Sequence, residues 1–185
     1  MKLMIFDLDG TLFDTAKVNY FAYRDALNKY GCSLDYEFFR THCNGLHYTE
    51  FLPEIIKTQT LDFSRIHEDK QQLYEKYLGY AVPNKKLMEL AWNVRTAYHT
   101  AIVTTASRMN AYQLLKKSDC AGLFQLIITK EDVKKTKPDP EGFLLAMEHF
   151  HAACEDTVIF EDSDAGIEAA ERAGVHCFVV TDYKY

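Results

Sequence analysis

Five short apolar runs recur along the chain: LMIF (3–6), AIVTT (101–105), FQLIIT (124–129), TVIFED (157–162) and HCFVV (176–180). None alternates apolar with polar residues, so none suits a strand with one wet face; each suits a strand buried on both sides. Helical spacing fills intervals between them, with Leu87, Leu90, Ala91 and Val94 in one stretch and Phe143, Leu144, Met147 and Phe150 in another. Strands and helices in alternation predict an α/β fold: a parallel sheet of about five strands, helices on both faces, right-handed crossovers.

The interval between the first and second runs is too long for one crossover. Residues 15–80 carry no convincing strand but three helical stripes: Tyr20, Tyr23, Leu27 and Tyr30; Phe51, Leu52, Ile55 and Ile56; and Tyr74, Tyr77 and Leu78. Such stripes pack a core. The expected organisation is a core of residues 1–14 and 81–185 and an inserted helical domain of residues 15–80. Hinges are expected at Asp14-Thr15 and AVPN (81–84).

Composition narrows the partners. A net charge of −6 with no basic stripe argues against nucleic acid or a membrane surface. The five scattered cysteines include no CxxC pair and read as buried thiols of a reducing compartment. No signal-like start and no span-length apolar stretch is present, so a soluble, cytoplasmic protein is expected. Few residues follow the fifth run, which would leave a sheet edge for a partner to cover; oligomeric state is left open.

The candidate chemistry begins at IFDLDGTLFD, where Asp7, Asp9 and Asp14 follow the first strand. Asp9-Gly10 alone reads as a turn. Asp7 is harder to dismiss, because a carboxylate against a buried run needs a partner or a cation. In an open parallel sheet, ligands bind beyond the carboxyl ends of the strands. That rule gathers Asp7 and Asp9 with Thr105, Lys137, Glu161 and Asp162. Each has a plainer reading: Thr105 as a β-branched strand residue, Lys137 as a solvated lysine, and Asp162 as a helix cap in competition with Ser163 and Asp164. Ser107 most simply caps the next helix. Gly166, Ala169, Ala170 and Ala173 let a helix approach the sheet. Together, hard oxygen donors without histidine or thiolate favour magnesium. Magnesium, a hydroxyl and a lysine suit a phosphoryl group.

DLDGTLFDT, AIVTTAS, KTKPDP and FEDSDAGIEAA resemble, in order and spacing, the four motifs of the haloacid dehalogenase-like superfamily. The chain is most similar to the branch with a helical cap that includes phosphoglycolate phosphatases and β-phosphoglucomutase. The resemblance implies a Rossmann-like core and a magnesium-dependent phosphatase acting on a small phosphorylated metabolite through an aspartyl-phosphate. It implies Asp7 as nucleophile, Asp9 as general acid and base, and Thr105 and Lys137 as holders of the phosphoryl group. Asp7, the Asp9 carbonyl and Asp162 would bind magnesium, with Glu161 supporting the metal or Lys137. Asp14 marks the exit into the cap.

Sugar-phosphate mutases of this family usually carry an apolar residue where this chain has Thr11. They carry histidine at the position of Asn19, and an arginine where Tyr48 aligns. These departures favour a phosphatase over a mutase. Receiver domains share much of the site chemistry but take the phosphoryl group on a central-strand aspartate, where this chain has Thr104-Thr105. A catalytically idle, phosphate-binding relative is the remaining alternative, although every catalytic position is filled. Substrate choice is assigned to RTHCNGLHYTEF (40–51), with Asn44, Gly45, His47 and Tyr48 as specificity residues. The plainer reading of His47 is a helix cap.

Overall fold

The computed structural model describes residues 2–57 and 61–181. They divide into two units, Met1–Asp14 with Val82–Tyr185, and Thr15–Ala81. The core unit opens with β1 (Leu3–Phe6) and the two-residue β2 (Phe13–Asp14). The helical unit follows with α1 (Ala16–Asn28), α2 (Tyr36–Phe38), α3 (Tyr48–Ile55) and α4 (Phe63–Tyr74). The chain then returns through β3 (Val82–Pro83), α5 (Lys85–Val94), β4 (His99–Val103), α6 (Arg108–Lys117) and β5 (Leu126–Ile128). It closes with α7 (Glu141–Phe150), β6 (Thr157–Glu161), α8 (Asp164–Arg172) and β7 (His176–Val179).

The five longer strands form one sheet in the order β5-β4-β1-β6-β7, every neighbour pair parallel. The expected α/β architecture is therefore present. The first strand lies at the centre, and its carboxyl end points at the crossover between the two halves, where such sheets bind ligands. One face packs Leu3, Ile5, Ala101, Val103 and Ile159 against Phe143, Ala146 and Met147 of α7 and Ala169 and Ala170 of α8. The small residues of α8 lie in this core, as close helix–sheet packing requires. Leu144 departs from its expected stripe: it is exposed, and Ala146 takes the inward position instead.

Short polar side chains start α5, α6 and α8, whereas α7 begins after Pro140 without a side-chain cap. Asn84 accepts from the Leu87 amide, Ser107 from Asn110 and Ser163 from Gly166, so Ser163 takes the capping role that Asp162 and Asp164 competed for. Asn84 also donates to the Thr11 carbonyl (3.2 Å), tying the loop after β1 to α5. The β2–β3 ribbon went unanticipated, since two residues per strand leave no periodic signal.

The helical unit has its own core. Tyr23, Ala26, Leu27, Phe39, Phe51, Leu52, Ile56 and Ile66 are buried together, with Tyr20, Tyr30, Tyr48 and Ile55 packed against them. A π-type turn at Phe39–Cys43 and a 3-10 helix at Glu75–Tyr80 complete it. Among the described residues no helix is long and apolar enough to cross a membrane. All five cysteines are unbridged, but only Cys43 and Cys120 are buried as expected; Cys32 and Cys177 are half-buried and Cys154 is exposed.

Candidate active site

Asp7 sits one residue beyond β1, and its amide donates to the Phe160 carbonyl (2.9 Å), carrying the strand alignment past the end of β1. Its side chain is 9% exposed and meets the Lys137 ammonium at 2.6 Å. The same ammonium reaches Glu161 Oε1 at 2.5 Å and the Val103 carbonyl at 2.9 Å, so all three of its protons have acceptors. Lys137 thus draws together the ends of β1, β4 and β6. A solvated lysine, the plainer reading, is excluded by its 6% side-chain exposure.

Glu161 is wholly buried. Its Oε2 accepts from the Asp162 amide (2.8 Å), the Ser163 amide (2.9 Å) and the Ser163 hydroxyl (3.0 Å). With Oε1 taken by Lys137, both of its oxygens are engaged. Of the two supporting roles open to it, bracing Lys137 is the one its bonds describe.

Asp162 is half-buried and accepts from Thr11 Oγ1 at 2.8 Å. Gly10 lies beneath it with φ +98°, and a Cβ there would fall 1.9 Å from Asp162 Oδ2. Glycine is therefore required twice over, by conformation and by space. The loop closes through the Gly10 amide to the Phe13 carbonyl (2.7 Å) and the Phe13 amide to the Leu8 carbonyl (3.0 Å), with half-buried Asp9 inside it. Thr105 is exposed two residues past β4 and lines, with Val103, Thr136 and Lys137, a recess in the core unit. Buried Thr104 instead accepts from the Ala106 amide (3.0 Å) and holds the turn.

Burial pushes the Asp7 carboxyl well above its usual range; Lys137 opposes this, while Glu161 and Asp162 add to it. Burial likewise raises Asp162 to about 6, against the Thr11 hydrogen bond. Burial alone would lower the Lys137 ammonium, but Asp7 and Glu161 outweigh it and hold it high. Three carboxylates thus face one fixed positive charge. Asp7, Glu161 and Asp162 each place an oxygen within 4.8 Å of the others. A donor set of carboxylate oxygens, without imidazole or thiolate and with negative charge in excess, fits a hard divalent cation.

The four specificity candidates lie in the helical unit. Asn44 follows the π-type turn, its amide donating to the Phe39 carbonyl (2.9 Å), and Gly45 has φ +88°. His47 precedes α3 and is exposed; its amide donates to Glu50 (2.9 Å), in keeping with the helix-cap reading. Tyr48 stacks flat on His67, ring centroids 4.2 Å apart, so part of its surface is already committed within the unit.

The haloacid dehalogenase-like hydrolase family model matches residues 4–180. The chain belongs to that family. A phosphorylated carbohydrates phosphatase from Thermotoga maritima is 30% identical over 181 residues, covering 95% of this chain and 82% of that one. A fructose-1-phosphate phosphatase from Escherichia coli is 28% identical over 174 residues, with 93% and 92% covered. Among solved structures, β-phosphoglucomutase from Clostridium difficile superposes with a TM-score of 0.77 at 25% identity, covering 99% of this chain and 86% of that one. This hydrolase family thus accounts for the four motifs and for the parallel sheet that carries them.

Two contributors to the site had no visible signal in the residues. The Val103 carbonyl is main chain, and no side-chain pattern marks a carbonyl as a lysine acceptor. The Ser163 hydroxyl looked like a cap and is one, yet it also donates to Glu161.

Proposed function

We propose that this family member is a magnesium-dependent phosphatase that hydrolyses a small phosphorylated sugar through an aspartyl-phosphate on Asp7. The observation that carries this reading is the buried ammonium of Lys137 bonded to Asp7 at 2.6 Å, at the carboxyl edge of the sheet. A lysine so placed holds the nucleophile and supplies positive charge where phosphoryl oxygens arrive. Asp7, Asp162 and the Asp9 carbonyl would hold the magnesium, which screens the carboxylates and withdraws charge from the phosphoryl group.

In the first step an Asp7 oxygen bonds to phosphorus as the ester P–O bond breaks, and Asp9 delivers its proton to the departing alkoxide. In the second step Asp9, now a carboxylate, takes a proton from water. That water's oxygen bonds to phosphorus, the Asp7–phosphorus bond breaks, and inorganic phosphate leaves. Thr105 holds the phosphoryl oxygens throughout, and Lys137, held by Asp7, Glu161 and the Val103 carbonyl, faces them with its positive charge. The helical unit serves as the cap, with Asn44, Gly45, His47 and Tyr48 choosing the substrate.

The relatives named as carbohydrate and fructose-1-phosphate phosphatases support a sugar phosphate as substrate. A mutase is the second reading, favoured by the likeness to β-phosphoglucomutase and opposed by Thr11, Asn19 and Tyr48. A screen of hexose and pentose monophosphates, phosphoglycolate and nucleotides separates them. The phosphatase reading expects free phosphate at a rate that falls at least 100-fold in EDTA. Isomerised sugar phosphate without phosphate release would overturn it, and undiminished turnover in EDTA would remove the metal.

A further inference from the structure

Lys137 lies in a loop outside regular secondary structure, which α8 touches on the far side of Lys137 through Arg172, on the Pro138 carbonyl (2.8 Å) and Asp139 (3.9 Å). Lys134, Lys135 and Thr136 are exposed, and no strand or helix spans residues 133–140. A long lysine side chain loses rotamer freedom when it is fixed. The loop that delivers it must therefore be held from elsewhere.

On the side before Lys137 that hold comes from the first residue of α7. Glu141 Oε1 accepts from the Lys134 amide (3.0 Å) and Oε2 from the Lys135 amide (2.9 Å), one oxygen per amide. The Glu141 amide in turn donates to Asp139 Oδ1 (3.1 Å), and the Asp139 amide to the Thr136 carbonyl (3.0 Å). The two residues after Glu141 fix where this clamp sits. A Cβ on Gly142 would approach Val103 Cγ1 to 2.8 Å, so α7 starts hard against the end of β4. Phe143 is buried, its ring 5.1 Å from the Lys137 ammonium.

We infer that Glu141 is a positioning residue for the phosphoryl-transfer site, holding the 134–137 loop so that Lys137 stands between Asp7 and Glu161. The inference rests on the role proposed above for Lys137. Glu141 touches neither Asp7 nor Lys137 side chain; it acts through two backbone amides. Two charge-assisted bonds to adjacent amides define a loop position more tightly than one, and a displacement of about 1 Å at a reacting group costs about 100-fold in rate.

Glu141→Gln keeps the size of the side chain but turns one acceptor into an N–H donor facing an amide. Glu141→Asp keeps the charge but shortens its reach, and serves if the first variant fails to fold by far-ultraviolet circular dichroism. The first measurement needs no catalysis: competitive acylation of lysines under native conditions, read by mass spectrometry. Lys137 should label at least 10-fold faster in the variant, while other buried positions keep their wild-type rates. Unchanged Lys137 labelling would overturn the clamp. The second is a double-mutant cycle with Lys137→Ala on an aryl phosphate. Glu141→Gln should lower kcat/KM about 10- to 100-fold in the wild-type background and less than twofold in the Lys137→Ala background. Equal losses in both backgrounds would show that Glu141 acts independently of Lys137. If the wild type hydrolyses no phosphate ester, the function proposed above fails, and the labelling result still decides the clamp.

Discussion

Gly166→Ala is an informative substitution because two effects of opposite sign meet there. Gly166 lies in the first turn of α8 with helical backbone, so alanine should raise helix propensity by up to about 1 kcal/mol. The new Cβ, however, would fall 1.9 Å from Glu161 Oε1 and 2.0 Å from its Cδ. That carboxylate has no room to yield: it is wholly buried, bonded to Lys137 at 2.5 Å and to three donors of residues 162 and 163 at 2.8–3.0 Å. Moving it breaks at least two hydrogen bonds to a charged group, at roughly 1.5–3 kcal/mol each. The net expectation is a loss of about 2–5 kcal/mol in urea unfolding, with the midpoint lowered and the slope unchanged. Gly122→Ala is the control, since a Cβ there meets nothing within 4 Å; its effect should stay within about 1 kcal/mol. A Gly166→Ala protein as stable as the wild type would refute the fixed Glu161 anchor.

Three further expectations follow from the same kind of contact. Thr11→Val preserves shape but removes the 2.8 Å hydrogen bond to Asp162, and should weaken magnesium affinity about 10-fold, read by titrating activity against the metal; an unchanged titration would separate Thr11 from the metal. Tyr48→Ala removes the ring stacked on His67, and should destabilise the helical unit by about 1 kcal/mol or more while changing the ratio of rates among sugar phosphates; stability loss with unaltered ratios would confine Tyr48 to packing. Burial alone would raise the Asp25 carboxyl, but hydrogen bonds from Tyr77, Arg24 and Lys76 outweigh it and bring it down to about 2. A depressed carboxyl stabilises the fold above its unfolded value and loses that contribution as pH falls from about 4 toward 2. Because Asp25 is partly exposed, the contribution is under about 1 kcal/mol. The stability gap between wild type and Asp25→Asn should shrink on acidification below pH 4, and a gap that widens would contradict it.

The sheet was legible because its strands are buried on both faces, which writes them as uninterrupted apolar runs; LMIF and TVIFE appear within a residue of where they were expected. The placement of Asp7, Lys137, Glu161 and Asp162 at one edge follows from topology, because those runs form a parallel sheet. What the residues did not reveal depends on main-chain atoms or on distance. The Val103 carbonyl beneath Lys137 has no side-chain signature, and Glu161 reads equally as metal ligand or brace until its four bonds are seen. Leu144 shows a different gap: at helical spacing it matches the inward stripe, yet α7 turns Ala146 to the sheet, where a small residue fits the close approach. The β2–β3 ribbon is too short for any period to betray it.

In the proposed mechanism Asp7 carries the phosphoryl group and Asp9 moves the proton. The most direct measurement is rapid-quench mass spectrometry of the wild type and the Asp7→Asn and Asp9→Asn variants, mixed with magnesium and an activated aryl phosphate. Such a leaving group needs little protonation, so Asp9→Asn should still be phosphorylated and then hydrolyse slowly for want of a base to activate water. A phosphate adduct is expected on the peptide containing Asp7 in the Asp9 variant and none in the Asp7 variant. An adduct on another residue, or equal residual turnover in both variants, would contradict it.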